Sequence, residues 1–393
     1  MTGALDLSRM FEPCQLKNIT LKSRFIMPAM NRGWTVDGLP SSKYAEYYAT
    51  RARRGVALIV TGALPVDHPS SSALTDPLIN ERSGNVWATV TQAVREAGGH
   101  MFMQLWHEGA IRLEGKGPYP DGPTLSPSGF ASATRQNGRA ATIEELEEIK
   151  QAFVNAALVA KASGFSGIEI HGAHGYFIDQ FFWPVTNRRT DNYGGATVLE
   201  RARYPLELVR AIRAAVGPDY LISLRFSQWK EVDFDASIMD VPTELEGFLN
   251  AFESAGVDMF NCSSRYFWKP ENDSSLLNLA GWTKKFTRLP VVTVGSLGLK
   301  IDLFGGFLAE GMSFDFAGQA QLQIMADQFA RGEFDLMAIG RSIIGDADWL
   351  LKVRDGRYDE IRSFSKADVM GNYEWDPGIV GETHGLKEED MAR

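Results

Sequence analysis

Short, nearly continuous apolar runs alternate along the chain with longer stretches in which apolar residues recur at helical spacing. Runs rich in β-branched and aromatic residues occupy 24–30 (Arg-Phe-Ile-Met-Pro-Ala-Met), 56–62 (Val-Ala-Leu-Ile-Val-Thr-Gly) and 100–106. Five more follow at 166–171, 220–226, 257–263, 290–296 and 335–341. Such runs are expected of parallel strands covered on both faces. Between them, 243–255 carries Leu245, Phe248, Leu249 and Phe252 at the spacing of one helix face. Thr142 with Glu145, Thr197 with Glu200, and Thr243 with Glu246 have the Thr-x-x-Glu spacing of a capping box. Gly98-Gly99, Gly164, Gly217 and Gly256 stand where the helices should end.

Eight strands, each followed by a helix, form either an open doubly wound sheet or a closed barrel. No Gly-x-Gly-x-x-Gly follows the first run, which removes the signature of the dinucleotide-binding open sheet. The expected fold is α/β, a (β/α)8 TIM barrel. It is read as one domain over 1–364, with an N-terminal hairpin at 13–25 and extended βα loops. The Gly- and Pro-rich segment 107–141 and the segment 298–334 are both longer than a routine connection. Residues 365–393 read as a polar C-terminal tail, either a surface tail or a subunit contact, so a homo-oligomer stays open.

Composition narrows the function. A length of 393 residues suits a single barrel as well as two smaller domains. Forty Lys and Arg against 49 Asp and Glu leave a net charge of −9, which argues against a nucleic-acid partner. The basic run Arg51-Ala-Arg53-Arg54 reads as a solvated helix end. Two distant cysteines, Cys14 and Cys262, exclude a disulfide framework, a zinc ribbon or a cysteine-ligated iron–sulfur cluster within the chain. A reduced, cytoplasmic setting fits. Neither a signal peptide nor a run long enough to span a membrane is seen.

In such barrels the site forms at the C-terminal ends of the strands. Those ends carry Met30-Asn31, Gly62, Gln104 with His107, His171 with His174, Arg225, Ser263-Ser264, Gly295-Ser296 and Gly340-Arg341. This is a polar, cationic set that suits an anionic ligand. His107-Glu108 is followed at 111 by Ile rather than His, so no zinc site is expected.

The stretch 169–195, Glu-Ile-His-Gly-Ala-His-Gly-Tyr-Phe-Ile-Asp-Gln-Phe-Phe-Trp-Pro-Val-Thr-Asn-Arg-Arg-Thr-Asp-Asn-Tyr-Gly-Gly, resembles the signature of the old yellow enzyme family. Met-Pro-Ala-Met-Asn-Arg at 27–32, Gln-Leu-Trp-His at 104–107, Leu-Arg at 224–225, Val-Gly-Ser at 294–296 and Ile-Gly-Arg at 339–341 carry the resemblance across residues 10–360. It implies tightly but non-covalently bound FMN, NADH or NADPH as reductant, and an activated alkene as the small-molecule substrate. In that reading Gly295, Ser296, Gly340 and Arg341 clamp the FMN phosphate, and Arg225 lies against flavin N1 and O2. Gln104 would bond the pyrimidine edge, with Gly62, Ala29, Met30 and Asn31 around the ring. His171 and His174 would donate to the substrate carbonyl, and Tyr176 would protonate the α-carbon. Phe267 and Trp268 either line the substrate cavity or pack against the barrel rim. The expected activity is reduction of the C=C bond of α,β-unsaturated carbonyl or nitro compounds. Two alternatives stand beside it: a desaturase that uses oxygen as acceptor, and a non-redox lyase or isomerase acting on a phosphorylated metabolite. Asn31 departs from the family, which usually has Thr or Cys there.

Overall fold

The computed structural model describes residues 5–74, 76–299, 313–314, 318–365 and 368. Much of the segment 298–334, and nearly all of the tail from 366, lie outside the described residues.

All eight apolar runs are strands. They are β1 (Phe25–Met27), β2 (Leu58–Pro65), β3 (His100–Trp106), β4 (Gly167–His174), β5 (Leu221–Lys230), β6 (Met259–Ser263), β7 (Val291–Val294) and β8 (Leu336–Ala338). Each pairs in parallel with its sequence neighbours, and β8 pairs with β1 to close the barrel. Helices α1 (Lys43–Arg53), α2 (Glu81–Glu96), α3 (Ile143–Ala162), α4 (Arg203–Val216), α5 (Leu245–Ala255), α6 (Leu279–Phe286), α7 (Gly318–Ala330) and α8 (Trp349–Arg354) follow the strands in turn.

Alternation along each strand sorts residues between two cores. Ile59, Met101, Met103, Ile168, Ile170, Ile222, Leu224 and Phe260 face the helices in the larger cluster. Ile26, Leu58, Val60, Phe102, Leu221, Met259, Val292, Leu336 and Ala338 form a second cluster inside the barrel. The expected hairpin, Cys14–Leu16 against Ile19–Leu21, contributes Leu16 and Leu21 to that inner cluster and floors the barrel.

Further along the strands, the inward positions turn polar. Glu169 lies opposite both Gln104 and Ser223 in the ladder, Arg225 opposite Asn261, and His171 opposite Arg225. An apolar lower half and a polar upper half place the chemistry at the C-terminal mouth.

Two capping boxes form as expected, at Thr142 with Glu145 and at Thr197 with Glu200. The third does not. α5 starts at Leu245 with Glu244 as its N-cap and no side-chain cap bond. Instead, Glu244 spends its carboxylate on the backbone N–H groups of Val198 and Asp240, which ties α5 to its neighbours. Arg51 also departs from expectation. It is buried, with its guanidinium 3.7 Å from the centre of the Tyr47 ring, so only the end of that basic run is solvated.

Candidate active site

The end of β4 and the turn after it carry three of the expected site residues, His171 and His174 on the strand and Tyr176 beyond it. His174 sits at φ 66°, a left-handed conformation that non-glycine residues seldom adopt without support. That support is dense. The backbone N–H of His174 donates to Ser227 Oγ (3.0 Å), and its ring lies 4.6 Å from the Trp229 ring at 31°. Gly175 donates its N–H to Asp179 Oδ2 (2.6 Å), and Asp179 forms a wholly buried ion pair with Lys230, 2.7 Å apart. The end of β5 thus locks the turn that ends β4.

Tyr176 lies between Trp106 and His171, its ring 5.1 Å from each and near perpendicular to both. Its hydroxyl donates to Glu231 Oε2 at 3.0 Å. His171 and His174 contact edge to face at 5.1 Å. Burial, reinforced by the positive charge of Arg225, pushes both histidines well below their usual value, so both are neutral near pH 7. A neutral imidazole can still offer one N–H to a ligand oxygen.

Arg225 is buried at the barrel axis, where desolvation lowers it while Glu169 below and Glu231 above favour its charge. Its Nη2 donates to Ser263 Oγ (3.1 Å), and Ser263 Oγ lies 2.8 Å from His174 Nε2. Gln104 is less open than expected, because its amide nitrogen donates to Glu169 Oε1 (2.7 Å). Asn261 and Ser223 donate to the other oxygen of Glu169, so this carboxylate organises the layer beneath the mouth. Thr61 holds β2 to β3 by accepting the backbone N–H of Gln104 (3.0 Å).

On the opposite side of the mouth, Ala29, Met30 and Asn31 are half-buried where the chain leaves β1. A Cβ on Gly62 would lie 2.6 Å from Asn31 Oδ1 and 2.9 Å from its Cα. The close approach that demands glycine there is therefore made by Asn31. The Asn31 amide nitrogen reaches Ala63 O (3.3 Å) and Asp76 Oδ2 (3.2 Å). Asp76 is buried, and desolvation raises its carboxyl to about 7.

Beyond β7 and β8, Ser296 adopts φ 59° after Gly295 at φ 150°. Gly295 needs its missing side chain, since a Cβ would meet Ser264 O at 2.6 Å. Arg341 follows Gly340 and reaches Ser296 Oγ at 3.4 Å, so the last two strand ends present one cationic, hydroxyl-bearing corner. Phe267 has 0% exposure and packs in the core, which takes its ring out of any cavity wall. Trp268 is half-buried and sits edge-on to Phe267 at 5.2 Å.

Glu231, Trp229 and Asp76 are not among the residues that the sequence places in the site. Ser263 was visible as a strand end. Trp229 and Glu231 were not, because the apolar run on β5 stops at 226 while the strand continues to Lys230.

The fold and this cationic mouth define a TIM-barrel flavoprotein oxidoreductase. The chain belongs to the NADH:flavin oxidoreductase / NADH oxidase family, whose sequence pattern matches residues 9–298, and with it to the old yellow enzymes. It is 34% identical to an NADH oxidase of Thermoanaerobacter brockii over 92% of this chain and 53% of that protein. It is 27% identical to a cinnamate reductase of Clostridium sporogenes over 90% of this chain and 54% of that protein. The chain spans about half the length of these curated relatives. Among solved structures, the old yellow enzyme homologue from Zymomonas mobilis superposes with TM-score 0.73 at 23% identity, covering 95% of this chain and 99% of that one. Morphinone reductase matches equally well, with TM-score 0.73 at 23% identity over 94% and 98%.

The family binds FMN and uses NAD(P)H, and the mouth suits such a cofactor. Among the described residues Arg225 Nε is buried with no hydrogen-bond partner, a spare donor on a cation whose Nη2 is already engaged. A flat, electron-accepting ring with a phosphate tail would satisfy that donor and the cationic corner together.

Proposed function

We propose that the chain reduces the C=C bond of α,β-unsaturated carbonyl or nitro compounds. The observation that carries this reading is the grouping of His171, His174 and Tyr176 at the end of one strand and its following turn, beside Arg225. When bound and reduced by NADH or NADPH, FMN would supply the hydride for the β-carbon. The protein's part is the charge and the proton. Ser296, Gly295, Gly340 and Arg341 would hold the phosphate, since a guanidinium beside a hydroxyl suits a dianion. Arg225 would offer its positive charge to the bound ring, where it favours the reduced, electron-rich form. Ala29, Met30, Asn31, Gly62 and Gln104 shape the rest of the ring's bed.

His171 and His174 orient the substrate by its carbonyl or nitro oxygen, where negative charge grows as the β-carbon is attacked. Two neutral donors fixed in advance stabilise that charge without reorganising. Tyr176, whose hydroxyl is held by Glu231, supplies the proton to the α-carbon. Burial of both histidines and packing of Tyr176 against Trp106 limit water at the reacting atoms.

Anaerobic reduction of the FMN-loaded chain with NADPH, followed by cyclohexenone, tests the reading. Rapid return of the oxidised flavin spectrum is expected, and a flavin that stays reduced would overturn it. Tyr176→Phe should retain FMN and its reduction by NADPH while alkene turnover falls by roughly 10²- to 10⁴-fold, the usual worth of a positioned general acid.

A further inference from the structure

Ser263, at the end of β6, joins two groups of the site that face different partners. Its Oγ lies 3.1 Å from Arg225 Nη2 and 2.8 Å from His174 Nε2. The hydroxyl is buried, and no other hydrogen-bond partner reaches it among the described residues. A guanidinium can only donate, so the Arg225 bond occupies a lone pair of the serine oxygen. The serine hydrogen must then find an acceptor, and His174 Nε2 is the one within reach. Were Nε2 protonated instead, the oxygen would face two donors and its own hydrogen would be buried with no partner, a costly arrangement.

An imidazole accepting at Nε2 and neutral overall carries its hydrogen on Nδ1. That side of the ring faces the Glu231 carboxylate, 4.0 Å away, which is too long for a hydrogen bond but favours an N–H pointing toward it. The ring cannot easily turn over to exchange its nitrogens. Trp229 lies against its face, and the Trp229 indole N–H donates to the backbone oxygen of Ser263 (2.9 Å).

We propose that Ser263, held by Arg225, is a positioning residue that fixes His174 as the Nδ1–H tautomer, so that the ring offers its one donor on the side it shares with Glu231 and the Tyr176 hydroxyl. This rests on the reading of His174 as a donor to the substrate oxygen. It also links the cation at the cofactor's ring edge to the donor on the substrate side through a single hydroxyl.

The test uses the FMN-loaded chain labelled with ¹⁵N-histidine. Six histidines keep the spectrum simple, and His174→Gln assigns the signal. The expected wild-type pattern is a protonated Nδ1 and an unprotonated Nε2 at His174. Ser263→Ala should move the proton to Nε2 or mix the two forms, and lower enone turnover roughly 10- to 100-fold, the usual effect of losing an orienting partner. Ser263→Thr, which keeps the hydroxyl, should restore the tautomer and most of the turnover. A retained FMN spectrum shows that each variant has folded. A proton on Nε2 in the wild type, or an unchanged tautomer in Ser263→Ala, overturns the proposal. An Nδ1–H tautomer lost in Ser263→Ala, in a wild-type chain that never reduces the enone, upholds the role of Ser263 and overturns only the alkene-reduction reading.

Discussion

Asp76 shows how single buried groups shape this site. It lies in the loop after β2, accepts a hydrogen bond from Asn31 and is driven up to about 7 by burial. A carboxyl whose folded value exceeds its unfolded value of 3.8 holds more protons folded than unfolded. Its ionisation therefore costs stability progressively as pH rises from about 4 to about 7, and fully above that. Asp76→Asn removes the charge and keeps an oxygen able to accept from Asn31. The variant should unfold at higher denaturant than the wild type at pH 8, by about 2–4 kcal/mol, with the advantage fading toward pH 4. Paired urea titrations at several pH values measure this, and a difference independent of pH would refute it. His107 behaves in the opposite sense. Burial pushes it well below 6.5, so its cost appears as pH falls below that value. Asp76 does not stand out in the sequence, because an Asp in a Ser- and Pro-rich loop looks solvated until the fold buries it. The aromatic run 266–268 is a similar case. Sequence shows three rings together but not that Phe267 turns into the core while Trp268 stays at the surface.

The barrel's elements were legible because each depends on a local pattern. Both-face apolar runs marked all eight strands, and the inward glutamate of Ile-Glu-Ile-His belongs to the same alternation. What escaped lies where local pattern ends. β4 and β5 run past their apolar stretches, and their pairing slips between Gly172 and His174 before meeting again at His174 and Lys230. That slip turns His174 and Tyr176 toward the mouth, and a buried ion pair keeps it in place. Lys230 and Asp179 each have 0% side-chain exposure, so neither charge has water to fall back on. Desolvation lowers Lys230 and raises Asp179 to about 6, each opposed by its partner. Lys230→Met should leave Asp179 buried and unpaired at a cost of roughly 3–5 kcal/mol, read as a lower urea midpoint. Adding Asp179→Leu should return much of that loss, since two apolar side chains can replace a buried pair. The double variant should still lack activity, because Gly175 would have lost the acceptor that shapes the turn. Activity restored together with stability would show that the pair serves packing alone.

At the scale of the whole molecule, the barrel closes between β8 and β1, and the proposed phosphate corner lies beside that seam. Gly340 follows β8 and leaves Met30, just beyond β1, so close that a Cβ would sit 3.2 Å from its sulfur. A ligand holding Arg341, Ser296 and the exit of β1 together would brace the seam as well as supply chemistry. β1 and β8 are three-residue strands, among the shortest in the barrel, and their register joins only Met337 with Phe25 and Ala338 with Ile26. FMN should therefore stabilise the chain by mass action, about 4 kcal/mol when free FMN exceeds its dissociation constant a thousandfold. Arg341→Ala should weaken FMN binding roughly 100-fold through loss of a charge-assisted contact. Without FMN, the variant and wild type should melt at nearly the same temperature, because Arg341 is half-buried and its bond to Ser296 is long, at 3.4 Å. With limiting FMN, only the wild type should gain stability, and a large excess of FMN should bring the two together. Melting curves across an FMN titration separate the cases. A variant that melts low without FMN would place Arg341 in the structure of the seam, whereas a gap that closes with added FMN places it in the hold on the cofactor.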